Sequence, residues 1–426
     1  MFKKLFRTNI QSRRVYLDHA GATQMSLQAK RALMDTLLLY GNPSGIHKEG
    51  ADAGVLLDKA RALCATELNA HAYEVYFTGS GTESCNIAVL GAYSAYEKSK
   101  NQTQKTSTLP HIITSSIEHP AILEPIKHLE REGKIRATYL PVYTTGIVKV
   151  SDLREALCEE TILVTVMYAN NEIGTIQPIK EIGRVVDEWK REHGKTFTSY
   201  PYVHTDACQA GNYLDLNVLR LKVHMMTLNS SKCYGPKGVA LLYKREGVHL
   251  TSPLYGGGQE RSLRSGTENT AGAYAFGTAL KEAQELREKE STRLRTLRDE
   301  TVTRLQQAIP SIVFYGGFDE YIQSSPKAKS EKLKTENRLP NNINCRVPGI
   351  SSEEMILRLD ARGFAVSHKS ACASMETDGS YVLQALGATE EEAKENIRIT
   401  MGRNTKERDM FALVDAMKEI TEKYAK

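Results

Sequence analysis

The sequence has 426 residues and a mass of 47.5 kDa, which at about 150 residues per domain predicts two or three domains with a large core. Its hydrophobic content of 41%, charged content of 25% and net charge of +5 are ordinary for a globular protein and do not indicate nucleic-acid binding. No apolar run approaches the ~20 residues of a membrane span, so we expect an enzyme-sized globular protein with no membrane or nucleic-acid partner.

The first residues, MFKKLFRTNIQSRR, are basic but lack the apolar core of a secretory signal. A short transit peptide is the alternative, because the segment is rich in Arg and Lys and has no acidic residue. The seven cysteines include no C-x-x-C pair, and their odd number fits neither a disulfide framework nor a zinc site. We therefore expect free thiols, no metal and a cytoplasmic protein.

From Val15 onward, short apolar runs alternate with amphipathic stretches. The predicted strands are VYLDH, EVYFT, HIITSS, ATYLPV, TILVTVMYA, YVHTDA, HMMTLN and VALLYK. The predicted helices between them include KRALMDTLLLY, IAVLGAYSAYEKS and IKEIGRVVDEWKREH. Such alternation predicts an α/β fold with a mainly parallel sheet covered by helices.

A long helix is predicted from about Ala273 to Ala308, and its later half carries an apolar stripe at three- and four-residue steps. After Pro310, the segments SIVFYG, NNINCRV, SSEEMILRLDARG and FAVSH predict a smaller α+β domain. The polar, lysine-rich segment 319–338 predicts a mobile surface insertion. We therefore expect a large domain over 14–268 and a small domain over 269–426 that includes 1–13.

The segment FTGSGTESCN, residues 77–86, joins a strand to a helix through a glycine-rich turn. Gly79 and Gly81 allow a tight turn, and the helix is expected to begin near Thr82 with Glu83 in its first turn. The free N–H groups of such a helix start bind phosphate, and the helix dipole favours the anion. The alternative is a simple turn with a threonine cap, because the spacing matches neither the Walker nor the Rossmann pattern.

Two charged residues follow neighbouring strands. Asp206 ends the strand in YVHTDACQ, where acids of α/β proteins often face the ligand crevice, although it could also cap the next turn. Lys232 follows the strand HMMTLN among small polar residues, where a lysine can form a Schiff base. Acid and lysine together suit pyridoxal phosphate, since the acid keeps the pyridine nitrogen protonated. The alternative for Lys232 is an ordinary surface lysine.

Cys372 lies in a loop of small residues within AVSHKSACASMETDGSYVL, residues 365–383. Most cysteines are inert and buried, but this segment is polar, and Lys369 and His368 stand nearby. Cations there favour the nucleophilic thiolate, so Cys372 is a candidate reactive thiol.

Together these segments resemble the cysteine desulfurase family, which consists of fold-type I pyridoxal-phosphate enzymes of the class V aminotransferase superfamily. The resemblance runs from about Val15 to the C-terminus and implies a mainly parallel, seven-stranded type of sheet with helices on both faces. The matching blocks are VYLDHAGAT, GNPSGIH, FTGSGTES, IEHPAIL, NNEIG, HTDACQ, SSKCYGPKG, GGGQERSLRSGTEN, SACAS and IRITMGR. The Ser-Ala-Cys-x-Ser setting and the long loop that follows it resemble the branch that supplies iron–sulfur cluster assembly.

The resemblance implies roles for the residues around the cofactor ring. Lys232 corresponds to the Schiff-base lysine and Asp206 to the acid on the pyridine nitrogen. His119 corresponds to the histidine that stacks on the ring and assists proton transfer. Asn171 and Gln209 correspond to side chains that contact the phenolic oxygen of the ring.

The resemblance also implies which residues bind the phosphate and the substrate. Gly81 and Thr82 correspond to the phosphate turn, and Thr267 to a threonine that reaches the phosphate from the neighbouring subunit of a homodimer. Arg398 corresponds to the arginine that binds the substrate carboxylate through two hydrogen bonds. Asn42 corresponds to a further substrate contact.

Two departures from the family pattern stand out. Asn229, Ser230 and Ser231 replace the usual Ser-Gly-His before the lysine, so Asn229 and Ser231 are expected to bind the cofactor with neutral hydrogen bonds only. His368-Lys369 replaces a small Ser-Gly pair in the cysteine loop, which is expected to stiffen the loop or change its acceptor. The opening LDHAGAT is similar to molybdenum-cofactor sulfurases, whereas GGGQER and SGTEN fit the desulfurases better.

The resemblance implies a homodimeric enzyme that converts L-cysteine to L-alanine and leaves a persulfide on Cys372. The sulfur would pass to an acceptor protein, such as an iron–sulfur scaffold, or to other thiolation pathways. A selenocysteine lyase shares almost all of these motifs and remains an alternative. An aminotransferase-like lyase would need no reactive cysteine, and a non-enzymatic scaffold would have lost the lysine or the acid.

Overall fold

The computed structural model describes residues 14–103, 108–317, 337–368 and 379–424, which divide into two compact units. The larger unit comprises Ala22–Asn171 and Thr175–Lys289. The smaller unit comprises the described residues up to Gly21, the short segment Glu172–Gly174, and those from Glu290 onward. The division between Lys289 and Glu290 falls inside the helix Thr270–Ala308, whereas the predicted boundary at residue 268 lies just before this helix. The predicted boundary stays a prediction.

The regular elements of the described residues are numbered in chain order. The strands are β1 (Val15–Tyr16), β2 (Val75–Thr78), β3 (His111–Ser115), β4 (Arg136–Leu140), β5 (Thr161–Thr165), β6 (Tyr202–Asp206), β7 (Met225–Asn229), β8 (Ala240–Lys244), β9 (Val313–Phe314), β10 (Asn342–Arg346), β11 (Phe364–Ala365) and β12 (Asn396–Thr400). The α-helices are α1 (Leu27–Thr36), α2 (Lys48–Leu68), α3 (Gly81–Thr103), α4 (Pro120–Arg131), α5 (Val150–Ala156), α6 (Ile179–Glu192), α7 (Val218–Leu221), α8 (Thr270–Ala308), α9 (Ser352–Ala361), α10 (Tyr381–Ala385), α11 (Glu390–Ala393) and α12 (Glu407–Tyr424).

The larger unit is built on a sheet to which its described residues contribute seven strands, in the order β2-β8-β7-β6-β5-β3-β4. The pairs from β7 to β4 are parallel, and β8 pairs antiparallel with both β7 and β2. Every residue of β3, β5 and β6 is buried, as expected for strands covered by helices on both faces. The predicted mainly parallel α/β fold is therefore confirmed.

This topology positions the candidate site. The carboxyl ends of parallel strands meet at one edge of a sheet, and in α/β folds ligands bind outside that edge. Asp206 ends β6 and Asn229 ends the neighbouring β7, with Asp206 paired in register to Thr227. The 3₁₀ turn Ser230–Lys232 follows β7 directly, which brings Lys232 to the same edge as Asp206.

The described part of the smaller unit contains two short sheets. One has the antiparallel order β12-β10-β9, and the other pairs β1 in parallel with β11. Helices α9 and α12 also belong to this unit, and buried apolar residues of α12, such as Leu413 and Met417, form part of its core. The predicted smaller α+β part of the fold is confirmed in architecture.

Three elements differ from the sequence predictions. Helix α1 ends at Thr36 rather than at Tyr40, because Leu37 and Leu38 find no core to pack on and are 56% and 85% exposed. Helix α2 was not predicted, since Gly50 and Gly54 interrupt a pattern of weak amphipathic character. Strand β12 was not predicted either, because its sequence NIRIT buries a charged residue at its centre.

Most of the predicted insertion over 319–338 lies outside the described residues. Its last residue, Arg338, is only 3% exposed, and its guanidinium donates hydrogen bonds to the carbonyl groups of Tyr315 and Gly316. The chain is therefore firmly packed again by Arg338. Over the ranges that the structure covers, no helix combines the length and apolar character needed to cross a membrane.

Candidate active site

The turn between β2 and α3, for which the sequence predicts phosphate binding, leads directly into a helix. Helix α3 begins at Gly81, and the Ser80 hydroxyl accepts a hydrogen bond from the Glu83 amide at 3.1 Å. A Cβ atom on Gly81 would lie 3.1 Å from the Cys208 sulfur and 3.4 Å from Nδ2 of Asn229. The helix start therefore lies against the ends of β6 and β7, with an amide N–H₂ group beside it. Thr82 is exposed at this turn.

Asp206 is a buried acid at the end of β6, with 7% of its surface exposed. Its Oδ1 accepts a hydrogen bond from the Cys208 amide at 3.0 Å. Burial raises the pKa of the Cys85 and Cys208 thiols, and the negative charge of Asp206 raises it further. The Cys208 amide thus holds the carboxylate in place at the sheet edge.

His119 caps helix α4, because its Nδ1 accepts a hydrogen bond from the Ala121 amide at 3.1 Å. The ring proton of the neutral imidazole is therefore on Nε2. Burial lowers the pKa of His119, the charge of Lys232 lowers it further, and the charge of Asp206 opposes both. These three predicted site residues consequently act on one another electrostatically within the larger unit, and His119 is neutral at physiological pH.

The turn that carries Lys232 is held by its backbone. The Lys232 carbonyl accepts a hydrogen bond from Nδ2 of Asn212 at 2.7 Å. The Ser231 carbonyl accepts from both the amide and the hydroxyl of Thr23, at 2.8 and 2.9 Å. The Thr23 hydroxyl in turn accepts from the Tyr234 amide at 2.7 Å. Thr23 and Asn212 were not singled out from the sequence, since nothing in their surroundings indicates partners so far along the chain.

The residues that replace the family's Ser-Gly-His form a local network. Oδ1 of Asn229 accepts hydrogen bonds from the amide and the hydroxyl of Ser231, at 3.2 and 3.1 Å. With Oδ1 engaged in this way, Nδ2 of Asn229 is the atom that faces the start of α3. Asn229 therefore presents a neutral donor to the turn.

Asn171 and Gln209 lie in the larger unit, the first buried with 8% of its surface exposed and the second half-buried. Asn42 is exposed in the loop after α1, where its Oδ1 accepts a hydrogen bond from the Ser44 amide at 3.0 Å. Thr267 is exposed and lines a small pocket together with Thr78, Gly79 and Arg264.

Arg398 belongs to the smaller unit and lies at the centre of β12 with 1% of its side chain exposed. Its Nη2 donates a hydrogen bond to Oδ1 of Asp18 at 2.8 Å, which forms an ion pair. The sequence indicated the arginine but not this acidic partner. Cys372 and Lys369 lie outside the described residues, so the role of Cys372 stays a prediction. The binding of the substrate carboxylate by Arg398 also stays a prediction.

Glu118, which directly precedes His119, is a fully buried acid that the sequence analysis did not single out. Its Oε1 accepts hydrogen bonds from the Ser115 hydroxyl and the Met167 amide, at 2.5 and 2.9 Å. Burial raises the pKa of Glu118 to about 8, so the carboxyl group is protonated at neutral pH.

This buried acid makes stability depend on pH in a predictable direction. Between the ordinary pKa near 4.5 and the folded value near 8, the folded state binds the extra proton, so stability falls as pH rises through this window. Relative to Glu118→Gln, which stays neutral, the wild-type free energy of unfolding should fall by up to about 1.4 kcal/mol per pH unit. Urea unfolding of both proteins at pH 5.5, 6.5 and 7.5 measures this difference. If the difference in free energy of unfolding between the two proteins does not change with pH, Glu118 is ionised in the folded protein.

No metal site accompanies these residues in the part of the chain that the structure covers, where no three His, Cys, Asp or Glu side chains are grouped to hold an ion.

Comparisons with known proteins agree with the fold and with the family resemblance. The aminotransferase class-V family model matches residues 15–413. The cysteine desulfurase IscS of Dictyoglomus turgidum is 37% identical over 413 residues, covering 96% of this chain and 95% of the relative. The cysteine desulfurase IscS of Methanosarcina thermophila is 35% identical over 415 residues, covering 97% of this chain and 93% of the relative.

Solved structures give the same result. A NifS-like protein superposes with a TM-score of 0.82 at 30% identity, covering 96% of this chain and 99% of that protein. A structure of SspA in complex with cysteine superposes with a TM-score of 0.70 at 29% identity, covering 91% of this chain and 98% of that protein. The family resemblance that the ten sequence blocks predicted is confirmed.

Proposed function

We propose that this chain, a member of the aminotransferase class-V family and within it of the cysteine desulfurases, transfers sulfur from L-cysteine to Cys372 and releases L-alanine. The observation that carries the proposal is the arrangement of Lys232, Asp206 and His119. These residues lie at the carboxyl edge of one sheet, and the charges of Lys232 and Asp206 act on His119.

The enzyme depends on pyridoxal phosphate, and the residues of the larger unit fit this cofactor. Gly81 begins a helix whose free N–H groups suit a phosphate, with the Asn229 amide beside it. Asp206 is a buried carboxylate that suits a protonated pyridine nitrogen. When bound, pyridoxal phosphate supplies an electron sink for the negative charge that develops at the substrate Cα.

The chain's own groups have separate tasks in this reaction. Asp206, oriented by the Cys208 amide, would keep a proton on the pyridine nitrogen. His119, neutral and protonated on Nε2, covers the ring and assists proton transfer. Nζ of Lys232, which holds the cofactor before the substrate arrives, removes the proton from the substrate Cα. Asn171 and Gln209 bind the phenolic oxygen.

Arg398 and Cys372 act on the substrate itself. The planar guanidinium of Arg398, oriented by Asp18, binds the substrate carboxylate, and Asn42 adds a further contact. The Cys372 thiolate attacks the substrate sulfur, the Cβ–S bond breaks with its electron pair going to carbon, and a proton completes alanine. The products are alanine and a persulfide on Cys372.

The working form that we propose is a homodimer, in which Thr267 reaches the phosphate of the partner's site. Thr267 is exposed in the larger unit. Large apolar side chains are also exposed there, at Leu37, Leu38, Tyr40 and Tyr255. Apolar surface of this kind is typical of protein interfaces.

A shared site predicts complementation between two inactive proteins. Mixing Lys232→Ala with Thr267→Ala should produce mixed dimers that each keep one intact site. If half of the dimers are mixed after free exchange, about one quarter of wild-type sulfide release should return. Mixing Lys232→Ala with Asp206→Asn is the control, because no mixed dimer then has an intact site. Equal activity in the two mixtures, with subunit exchange demonstrated by mass spectrometry, would contradict the shared site.

We further propose that the persulfide sulfur passes to an acceptor protein of iron–sulfur cluster assembly or of another thiolation pathway in the cytoplasm. The six cysteines within the described ranges are free thiols, which suits a reducing compartment. The competing activity is that of a selenocysteine lyase. Sulfide and alanine release from cysteine, measured beside selenium and alanine release from selenocysteine, distinguishes the two. Turnover of selenocysteine alone would overturn the proposed function.

A further inference from the structure

An acidic side chain stands in the first turn of the helix that binds phosphate. Glu83 is the third residue of α3, and a carboxylate in a first helical turn is favoured by the helix dipole. A phosphate monoester, however, brings nearly two negative charges to the same helix start. The carboxylate and the phosphate would therefore repel each other unless a cation neutralises the carboxylate.

The structure supplies that cation. Nε of Arg264 donates a hydrogen bond to Oε1 of Glu83 at 2.7 Å, while Oε2 of Glu83 accepts one from the Gly79 amide at 2.9 Å. The two side chains are 23% and 28% exposed, so solvent screens the pair only in part. A Cβ atom on Gly79 would lie 2.8 Å from Oε2, so only glycine allows the carboxylate this close to the turn. Glu83 thus closes the turn, and Arg264 neutralises Glu83.

The loop that presents Arg264 is itself firmly anchored. Glu260, Arg261 and Ser262 have φ angles of 47°, 52° and 65°, a left-handed conformation that non-glycine residues adopt only under constraint. The Glu260 carboxylate holds them through two hydrogen bonds from Arg61, at 2.6 and 2.7 Å, and one from the Phe77 amide at 3.0 Å. These contacts fix the loop to helix α2 and to strand β2, so Arg264 is presented to Glu83 in one defined place.

We propose that Arg264 is a positioning residue for cofactor binding, which makes the turn 79–82 able to accept a phosphate by neutralising Glu83. This inference rests on the proposed function and assigns a task to two residues outside the predicted site. It also explains why the turn tolerates an acid even though Asn229 and Ser231 bring no positive charge to it.

The proposal predicts a charge-dependent pattern of cofactor affinity. Arg264→Gln should raise the dissociation constant of pyridoxal phosphate by about tenfold, because it leaves Glu83 uncompensated. Its affinity for pyridoxal, which lacks the phosphate, should stay within about twofold of wild type. Glu83→Gln, which keeps an acceptor for Gly79, should change neither constant by more than about twofold. The double variant should recover the affinity of Glu83→Gln. All four proteins are titrated with both ligands by absorbance.

Several outcomes would overturn the proposal. A loss that persists in the double variant would mean that Arg264 contacts the phosphate directly. An equal loss of pyridoxal binding, or a loss on Glu83→Gln alone, would mean that the pair only supports the fold. Arg154→Gln breaks a partly exposed ion pair with Glu188 in the same unit and serves as the matched control. If Arg264→Gln does not fold, Arg264→Lys takes its place. This variant must bind pyridoxal phosphate as tightly as wild type, and its affinity must fall more than that of wild type when the ionic strength is raised. Any other result contradicts the proposal.

Failure of the proposed function would be seen separately. Wild-type protein that forms no borohydride-stable adduct with pyridoxal phosphate would contradict the proposed function itself. If wild-type protein forms this adduct and Arg264→Gln binds pyridoxal phosphate as tightly as wild type does, only the role of Arg264 is contradicted.

Discussion

Replacing Lys232 by alanine is expected to abolish sulfide release, with a loss of more than about a thousandfold, because one side chain both holds the cofactor and moves the proton at Cα. The variant should lose the yellow Schiff-base absorbance and the borohydride-stable label of wild type. Its fold should persist, since the hydrogen bond from Asn212 and those from Thr23 are made to backbone groups of the turn.

Lys237, five residues further along, provides the matched control. It is exposed, and Lys237→Ala should keep the absorbance, the label and the activity. Recovery of the borohydride label on a peptide with Lys237 modified and Lys232 intact would contradict the assignment.

Replacing Cys372 by serine is expected to separate the two halves of the reaction. The variant should still bind cysteine and change the cofactor absorbance, since Lys232 and Asp206 are intact. It should release sulfide more than about a thousandfold more slowly, because a hydroxyl is a far weaker nucleophile toward sulfur than a thiolate. Selenium leaves more easily without a thiol acceptor, so some selenocysteine turnover is expected to remain.

The other thiols are poor candidates for this role. Burial raises the pKa of Cys64, Cys85, Cys208 and Cys345, which keeps these thiols protonated at neutral pH. An alkylating reagent should therefore label Cys372 first, and Cys158→Ser, a change at a half-buried thiol, should leave sulfide release unchanged. Desulfuration by Cys372→Ser at a rate near that of wild type would show that Cys372 is an ordinary loop thiol.

Local patterns predicted most of the sheet. The strands that end at Asp206 and Asn229 begin with apolar residues, and short strand patterns that alternate with helices indicate a mainly parallel sheet. Helix α2 escaped prediction because its glycines weaken the pattern, and β12 because Arg398 is buried by an ion pair that no local pattern reveals. The candidate site was predicted from the family resemblance and from strand ends.

The supporting contacts could not be predicted, because their partners are far apart in sequence. Arg264 and Glu83 are 181 residues apart, and Arg398 and Asp18 are 380 apart. Each residue taken alone is an ordinary charged side chain, which is exposed in most proteins. Only the folded backbone selects which of the 56 basic residues meets which of the 51 acidic residues.

The hydrogen bonds of Thr23 set an order of events during synthesis of the chain. Thr23 precedes Ser231 by 208 residues and Tyr234 by 211. At about 5–20 residues per second, a ribosome needs roughly 10–40 seconds to pass from one to the other. During that time the nascent chain has no anchored lysine turn, so cofactor capture waits until the larger unit is nearly complete. Replacing Thr23 should therefore lower the yield of cofactor-loaded protein made in cells.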